Sequence, residues 1–138
     1  MDRPIPQCPV ETTVLLVGNR WKALILRELL FAPQESLRYS ELRKSIIGIS
    51  DKMLSQSLRE MEQDGLLTRQ VMDTAPPGVL YALTPVARKL GPLLQAMFAW
   101  GQEYQRAMQG EATLCPNCAR AENLMKGQCI CNNTTSQA

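Results

Sequence analysis

Apolar positions recur along this chain with two periods, one helical and one of strand type. Val10 to Val17 reads as a short apolar helix. Cys8-Pro9 opens it, and proline is favourable there because its missing N–H would be unpaired at a first helical position anyway. Gly18-Asn19 closes it, both residues tolerating the left-handed conformation of a helix C-terminus. Trp21 to Phe31 is predicted as a second helix. Trp21, Leu24, Ile25 and Leu29, with the neighbouring Leu26 and Leu30, give a stripe broad enough to bury most of it. Ala32-Pro33 ends it, and a loop with a short strand near Leu37 follows. Tyr39 to Ile47 is a third helix whose inward face is Leu42 and Ile46 at i, i+4, with Ser40 near its start. Gly48-Ile49-Ser50 is a tight turn, and Ser50 is a suitable N-cap for a fourth helix, Asp51 to Asp64, closed by Gly65.

The fourth helix separates its two faces cleanly. Projected at about 100° per residue, Leu54, Leu58 and Met61 fall on one side. Lys52, Ser55, Gln56, Arg59 and Gln63 fall on the other, with Glu60 and Glu62 on the flanks. Leu66 to Met72 and Val79 to Leu83 then alternate roughly, as strands do, around the turn-rich connector Asp73-Thr74-Ala75-Pro76-Pro77-Gly78. Thr84-Pro85 starts a long helix predicted to run to about Met108, with Leu90, Leu93, Leu94, Met97, Phe98, Trp100 and Tyr104 as its apolar positions. The remaining segment, 109–138, is polar at its end and is expected to be partly disordered. The organisation read from this pattern is a flexible start over 1–7, one domain over 8–108, and a cysteine-containing tail over 109–138.

A helix, a glycine-containing turn, a second helix with a polar outer face and a following hairpin form a winged helix-turn-helix arrangement. The predicted class is therefore mainly α with a small β-hairpin wing. The major groove of DNA admits one helix, and its base edges favour donors such as lysine, arginine and glutamine.

Charge and composition narrow the function. The net charge of the 138 residues is only +2, so bulk electrostatics make no case for nucleic acid. Its distribution does: between Leu37 and Arg59, Arg38, Arg43, Lys44, Lys52 and Arg59 stand against Glu41 and Asp51. Such a local excess suits phosphate neutralisation. The chain has no histidine, which removes the commonest general base and the commonest metal ligand. Glu60 and Glu62 point in different directions on one helix, and no glycine-rich phosphate loop occurs, so an enzyme is not expected. No apolar run is long enough to span a bilayer and Met1 to Pro9 is polar, so the expected compartment is the cytoplasm.

Two cysteine features carry possible chemistry. Cys8 stands alone at a predicted helix N-terminus, where a thiol can become reactive, or where it can simply pack at an interface. Cys115-Pro116-Asn117-Cys118 has zinc-knuckle spacing, and Cys129-Ile130-Cys131 supplies two more thiols one residue too tight for the usual second knuckle. The tail therefore reads either as a zinc site of Cys115, Cys118, Cys129 and Cys131 or as redox-active or free thiols.

The chain resembles the HxlR family of bacterial regulators, related to the MarR-like winged helices. The resemblance rests on Cys8-Pro9-Val10-Glu11, Gly18-Asn19-Arg20-Trp21-Lys22, Ile25-Leu26-Arg27-Glu28-Leu29 and Tyr39-Ser40-Glu41-Leu42-Arg43. It continues through Gly48-Ile49-Ser50-Asp51-Lys52-Met53-Leu54, Ser57 to Leu66, Pro76-Pro77, Tyr81-Ala82-Leu83-Thr84-Pro85 and Trp100-Gly101. It implies a two-fold homodimer formed through the terminal helices, binding a palindromic operator, with repression the expected sense of regulation. By that resemblance Ser50, Lys52, Met53, Ser55, Gln56 and Arg59 belong to the recognition helix, and Arg38, Tyr39, Ser40 and Arg43 sit where the preceding helix meets phosphates. It further implies that Cys8 senses oxidants or electrophiles. The wing departs from the pattern. Gly78 follows the double proline where the family commonly has a basic residue, and Arg69 on the first wing strand is the available substitute for a phosphate contact. The competing reading is a winged-helix protein-interaction module that does not touch DNA, which salt-dependent DNA binding would distinguish.

Overall fold

A computed structural model of the chain describes residues 4–120; the expected disorder of the tail end, and Cys129 and Cys131 with it, lie outside the described residues. The chain divides at Leu90–Gly91 into two compact units. The first contains α1 (Pro9–Val17), α2 (Arg20–Leu30), β1 (Ser36–Arg38), α3 (Tyr39–Ser45), α4 (Asp51–Gln63), β2 (Leu67–Met72), β3 (Gly78–Leu83) and α5 (Pro85–Arg88). The second contains α6 (Gly91–Gln109).

α1 gives way to α2 by a different device from the one expected. Gly18 has φ −76° and Asn19 φ −89°, so neither adopts the left-handed conformation. Glycine is required at 18 because a Cβ there would collide with the Val14 carbonyl. Asn19 belongs to the start of α2 rather than the end of α1. Its side-chain oxygen accepts the Trp21 and Lys22 amides at 2.9 and 3.4 Å, satisfying donors that a helix N-terminus leaves orphaned. α2 then buries Ile25, Leu26 and Leu29.

The helix pair α3–α4 is set by its turn and caps. Gly48 lies at φ 86°, a conformation that glycine adopts without Cβ strain. The Ser50 hydroxyl accepts the Met53 amide at 3.1 Å and caps α4. At the other end Gly65, at φ 79°, closes the helix, and the Leu66 amide reaches back to the Met61 carbonyl at 2.9 Å. Between these stops α4 buries Leu54, Leu58 and Met61 completely, against α2 and β2.

The hairpin joins a third strand that lies far away in sequence. The sheet is antiparallel with order β1-β3-β2, pairing Leu37 with Tyr81 and Arg69 with Tyr81 from the other side. The expected short strand near Leu37 thus becomes an edge of the wing sheet. Thr84 ties the sheet to the helices. Its hydroxyl donates to the Gly65 carbonyl at 2.7 Å and accepts the Ala87 amide at 3.4 Å, capping α5.

The helix expected from Thr84 to about Met108 is two helices. Pro92 has no N–H to donate to the Arg88 carbonyl, and its ring would clash with that carbonyl in a continuous helix. α5 stops at Arg88 and α6 starts at Gly91, with Pro92 in its first turn where the missing donor costs nothing. Within the second unit, Trp100 and Tyr104 stack with ring centroids 5.4 Å apart, and Met97, Trp100, Tyr104 and Met108 are exposed. No helix among the described residues is long and apolar enough to cross a membrane.

The seating of α4 should dominate stability. Leu58→Ala removes a fully buried side chain and should cost about 2–5 kcal/mol in urea-induced unfolding. Ile47→Ala, at a position 74% exposed, should change it by less than about 0.5 kcal/mol.

Candidate nucleic-acid interface

The outer face of α4 is the opposite of its buried one. Lys52, Gln56, Arg59 and Gln63 are exposed and Ser55 is half-buried. Lys52, Ser55, Gln56, Arg59, Glu60 and Gln63 line one open groove along the helix. A second groove continues from it to the wing, lined by Ser55, Arg59, Glu62, Arg69 and Tyr81. The structure therefore brings Arg69 of β2 to the same surface as Arg59 of α4. Met53 is half-buried beside the cap, so its backbone amide, held by Ser50, is its defined contribution.

The preceding helix is braced to α4 rather than left free. The Tyr39 hydroxyl donates to Asp51 Oδ1 at 3.1 Å and lies 3.1 Å from Ser55 Oγ. Arg43 Nε pairs with the same Asp51 oxygen at 3.1 Å. Asp51 is thus the shared acceptor that joins α3 to the first turn of α4. Its negative charge also suits a helix N-terminus. Arg38 is exposed and is the N-cap residue of α3, its backbone amide donating to Glu41 Oε1 at 3.0 Å. Ser40, expected near the helix start, sits exposed inside the first turn and is not the cap.

Sequence reasoning passed over Lys22 and Glu60. Lys22 lies in the buried stripe of α2, and its ammonium sits 2.6 Å from Glu60 Oε2, the two side chains being 8% and 42% exposed. Glu60 Oε1 accepts Gln56 Nε2 at 3.2 Å. The signal for this link was available: Lys22 precedes Ile25, Leu26 and Leu29 by three, four and seven residues and so shares their buried stripe, where an ammonium demands a partner.

The cysteine positions are separate from this surface in the sequence. Cys8 is exposed, carries a free thiol and is the N-cap residue of α1. The Cys118 amide donates to Cys115 Sγ at 3.3 Å. Among the described residues no three His, Cys, Asp or Glu side chains converge as a metal site would require.

A helix seated by one face, capped behind a glycine turn, with cationic and amide side chains outward and a three-stranded wing beside it, defines a winged helix-turn-helix transcriptional regulator. The model of the HxlR-like helix-turn-helix family matches residues 16–109, and the chain belongs to that family. The HTH-type transcriptional regulator YdeP of Bacillus subtilis (strain 168) is 40% identical over 98 residues, 71% of this chain and 74% of the relative. The redox regulator HypR in its reduced form superposes with a TM-score of 0.66 at 32% identity, covering 75% of this chain and 99% of HypR. The reduced form of the transcriptional regulator YodB from B. subtilis gives 0.61 at 33% identity, covering 76% and 98%.

The brace between α3 and α4 can be tested without DNA. Tyr39→Phe removes only the hydroxyl that Asp51 and Ser55 share, and should lower unfolding stability by about 1 kcal/mol in urea denaturation.

Proposed function

We propose that the chain binds a palindromic duplex operator as a homodimer, with α4 in the major groove, and acts as a repressor whose occupancy responds to oxidants through Cys8. The observation that carries the DNA reading is the outer face of α4. Its donors Lys52, Gln56 and Arg59 project on the side opposite Leu54, Leu58 and Met61, and these are side chains suited to base edges and phosphates. Arg69 extends the cationic surface to the wing strand, while Arg38, at the N-cap of α3, and Arg43, within α3, add cations on the preceding helix. Arg43 is an exposed partner of Asp51, at 42% and 73% side-chain exposure. An ion pair of that kind is worth at most about 1 kcal/mol, so exchanging Asp51 for a phosphate is cheap.

Two apolar faces support the dimer. Val10 and Val14 of α1 are exposed at successive turns, and Met97, Trp100, Tyr104 and Met108 of α6 form a stripe at intervals of three and four residues. Clusters of exposed apolar side chains mark interaction surfaces. A two-fold dimer then places two copies of α4 about one helical turn of DNA apart, roughly 34 Å.

The response to oxidants rests on the exposed thiol of Cys8 and on similarity to proteins described as redox regulators. Two Cys8 thiols from the two subunits would join as a disulfide. They release two protons and two electrons, which an oxidant such as diamide takes up.

A titration on duplex DNA from the protein's own upstream region tests the first part. Binding should be tight and should weaken steeply with salt, the slope reporting the phosphates neutralised. Arg59→Ala should weaken it at least tenfold, corresponding to about 1.4 kcal/mol or more, while the dimer stays folded. Salt-insensitive or absent binding would instead favour an interaction module. For the second part, diamide should abolish or alter operator binding by the wild type and leave Cys8→Ser unaffected, with Cys115→Ser and Cys118→Ser behaving as wild type. An unchanged response in Cys8→Ser would move the sensor elsewhere.

A further inference from the structure

We infer that Lys22 and Glu60 are positioning residues that set which way the Gln56 carboxamide faces, and so fix base selection by α4. The inference rests on the reading of α4 as the helix that enters the groove. Lys22 belongs to α2 and its side chain is only 8% exposed. An ammonium so far removed from water must have a counter-charge, and Glu60 supplies it at 2.6 Å. This contact occupies Oε2 of Glu60 and holds the carboxylate in one orientation. The second oxygen, Oε1, is then aimed one helical turn back, where it accepts Gln56 Nε2 at 3.2 Å.

A carboxylate accepts and cannot donate, so only the amide nitrogen of Gln56 can face it. The carbonyl oxygen of Gln56 is thereby turned away from Glu60, and the second N–H on Nε2 remains available. Gln56 is exposed on the groove-lining face, so this ordered pair of groups points outward. Glutamine reads adenine through one acceptor and one donor, the carbonyl accepting a hydrogen bond from the N6 amino group and the amide N–H donating one to N7. An unanchored carboxamide can present these two groups in either order. The relay from Lys22 through Glu60 leaves one order, which selects adenine and the strand that carries it.

The relay also explains how a carboxylate is tolerated at the edge of a DNA-facing groove. The Glu60 charge is compensated from below by Lys22, so the groove does not carry an unpaired negative charge toward phosphates. A glutamate without the lysine would repel the ligand it faces.

The test uses the full chain and operator duplexes measured by fluorescence anisotropy. The base pair read by Gln56 is located as the one at which Gln56→Ala loses discrimination among the four base pairs. There the wild type should prefer adenine by about tenfold to a hundredfold. Lys22→Met should bring that preference close to the Gln56→Ala level. Discrimination at other positions should not change, whereas affinity for all duplexes, non-specific duplex included, should fall by a common factor because Glu60 loses its counter-charge. Lys22→Arg, which keeps the cation, should retain the preference. If Lys22→Met does not fold, the double variant Lys22→Met/Glu60→Met replaces the buried pair by apolar side chains and should show the same selective loss. Wild-type discrimination persisting in a folded Lys22→Met or double variant would overturn the inference. So would a loss of affinity common to all sequences with the adenine preference retained, or the absence of any base pair that depends on Gln56. Absence of salt-sensitive binding by the wild type would instead overturn the DNA reading itself.

Discussion

One face of α4 cannot leave the core, and that constraint orients everything else in the site. Leu54, Leu58 and Met61 are each fully buried, so rotating the helix by even one residue would expose a leucine and bury a lysine or an arginine. Either change costs kilocalories per side chain. The thirteen residues of the helix therefore have one rotational setting. Ser50 stops it at one end and Gly65 at the other, which leaves little room for it to slide along its axis. The direction in which Gln56 and Arg59 project is a consequence of apolar packing.

The ion pairs around the helix divide by burial into two kinds. Lys22–Glu60 has one nearly desolvated partner and cannot separate without stranding a charge. Arg43–Asp51 is exposed on both sides and can exchange partners at little cost. The buried pair fixes the relation of α2 to α4, whereas the exposed pair and the Tyr39 hydroxyl brace α3 against the first turn of α4. Rigidity thus lies beneath the helix, and exchangeable polar contacts lie at its N-terminal edge, where charged ligands would arrive.

The face assignment of α4 was legible in the sequence because it follows from periodicity alone, and so were its caps, since serine before and glycine after a helix act through local hydrogen bonds and φ. The hairpin was legible for the same reason. The pairing of Ser36–Arg38 with Leu80–Ala82 was not, because strand partners more than forty residues apart leave no local trace. The break at Leu90–Gly91 was written in Pro92, but the apolar spacing across it imitates a continuous helix. Arg43 reads in the sequence as one cation among several phosphate-facing ones; only the turn geometry that brings Asp51 back toward α3 shows it paired. Gly18-Asn19 has the residues of a left-handed stop, whereas packing against Val14 and capping of α2 are what those residues supply.

The wing raises the question of where binding energy could come from. Between Gln70 and Ala87 the chain has no lysine or arginine, and Gly78 occupies the position after the double proline. A hairpin tip without cations gains nothing from the negative potential of a narrow minor groove. The one cation on the β2–β3 hairpin, Arg69, stands on β2 opposite Tyr81 and lines the same groove as Arg59. Positive charge is therefore concentrated against α4 and not spread along the hairpin. In the proposed complex discrimination rests on a few side chains of one helix, and the cost of a misoriented amide at Gln56 would be correspondingly larger than in a protein whose wing shares the work.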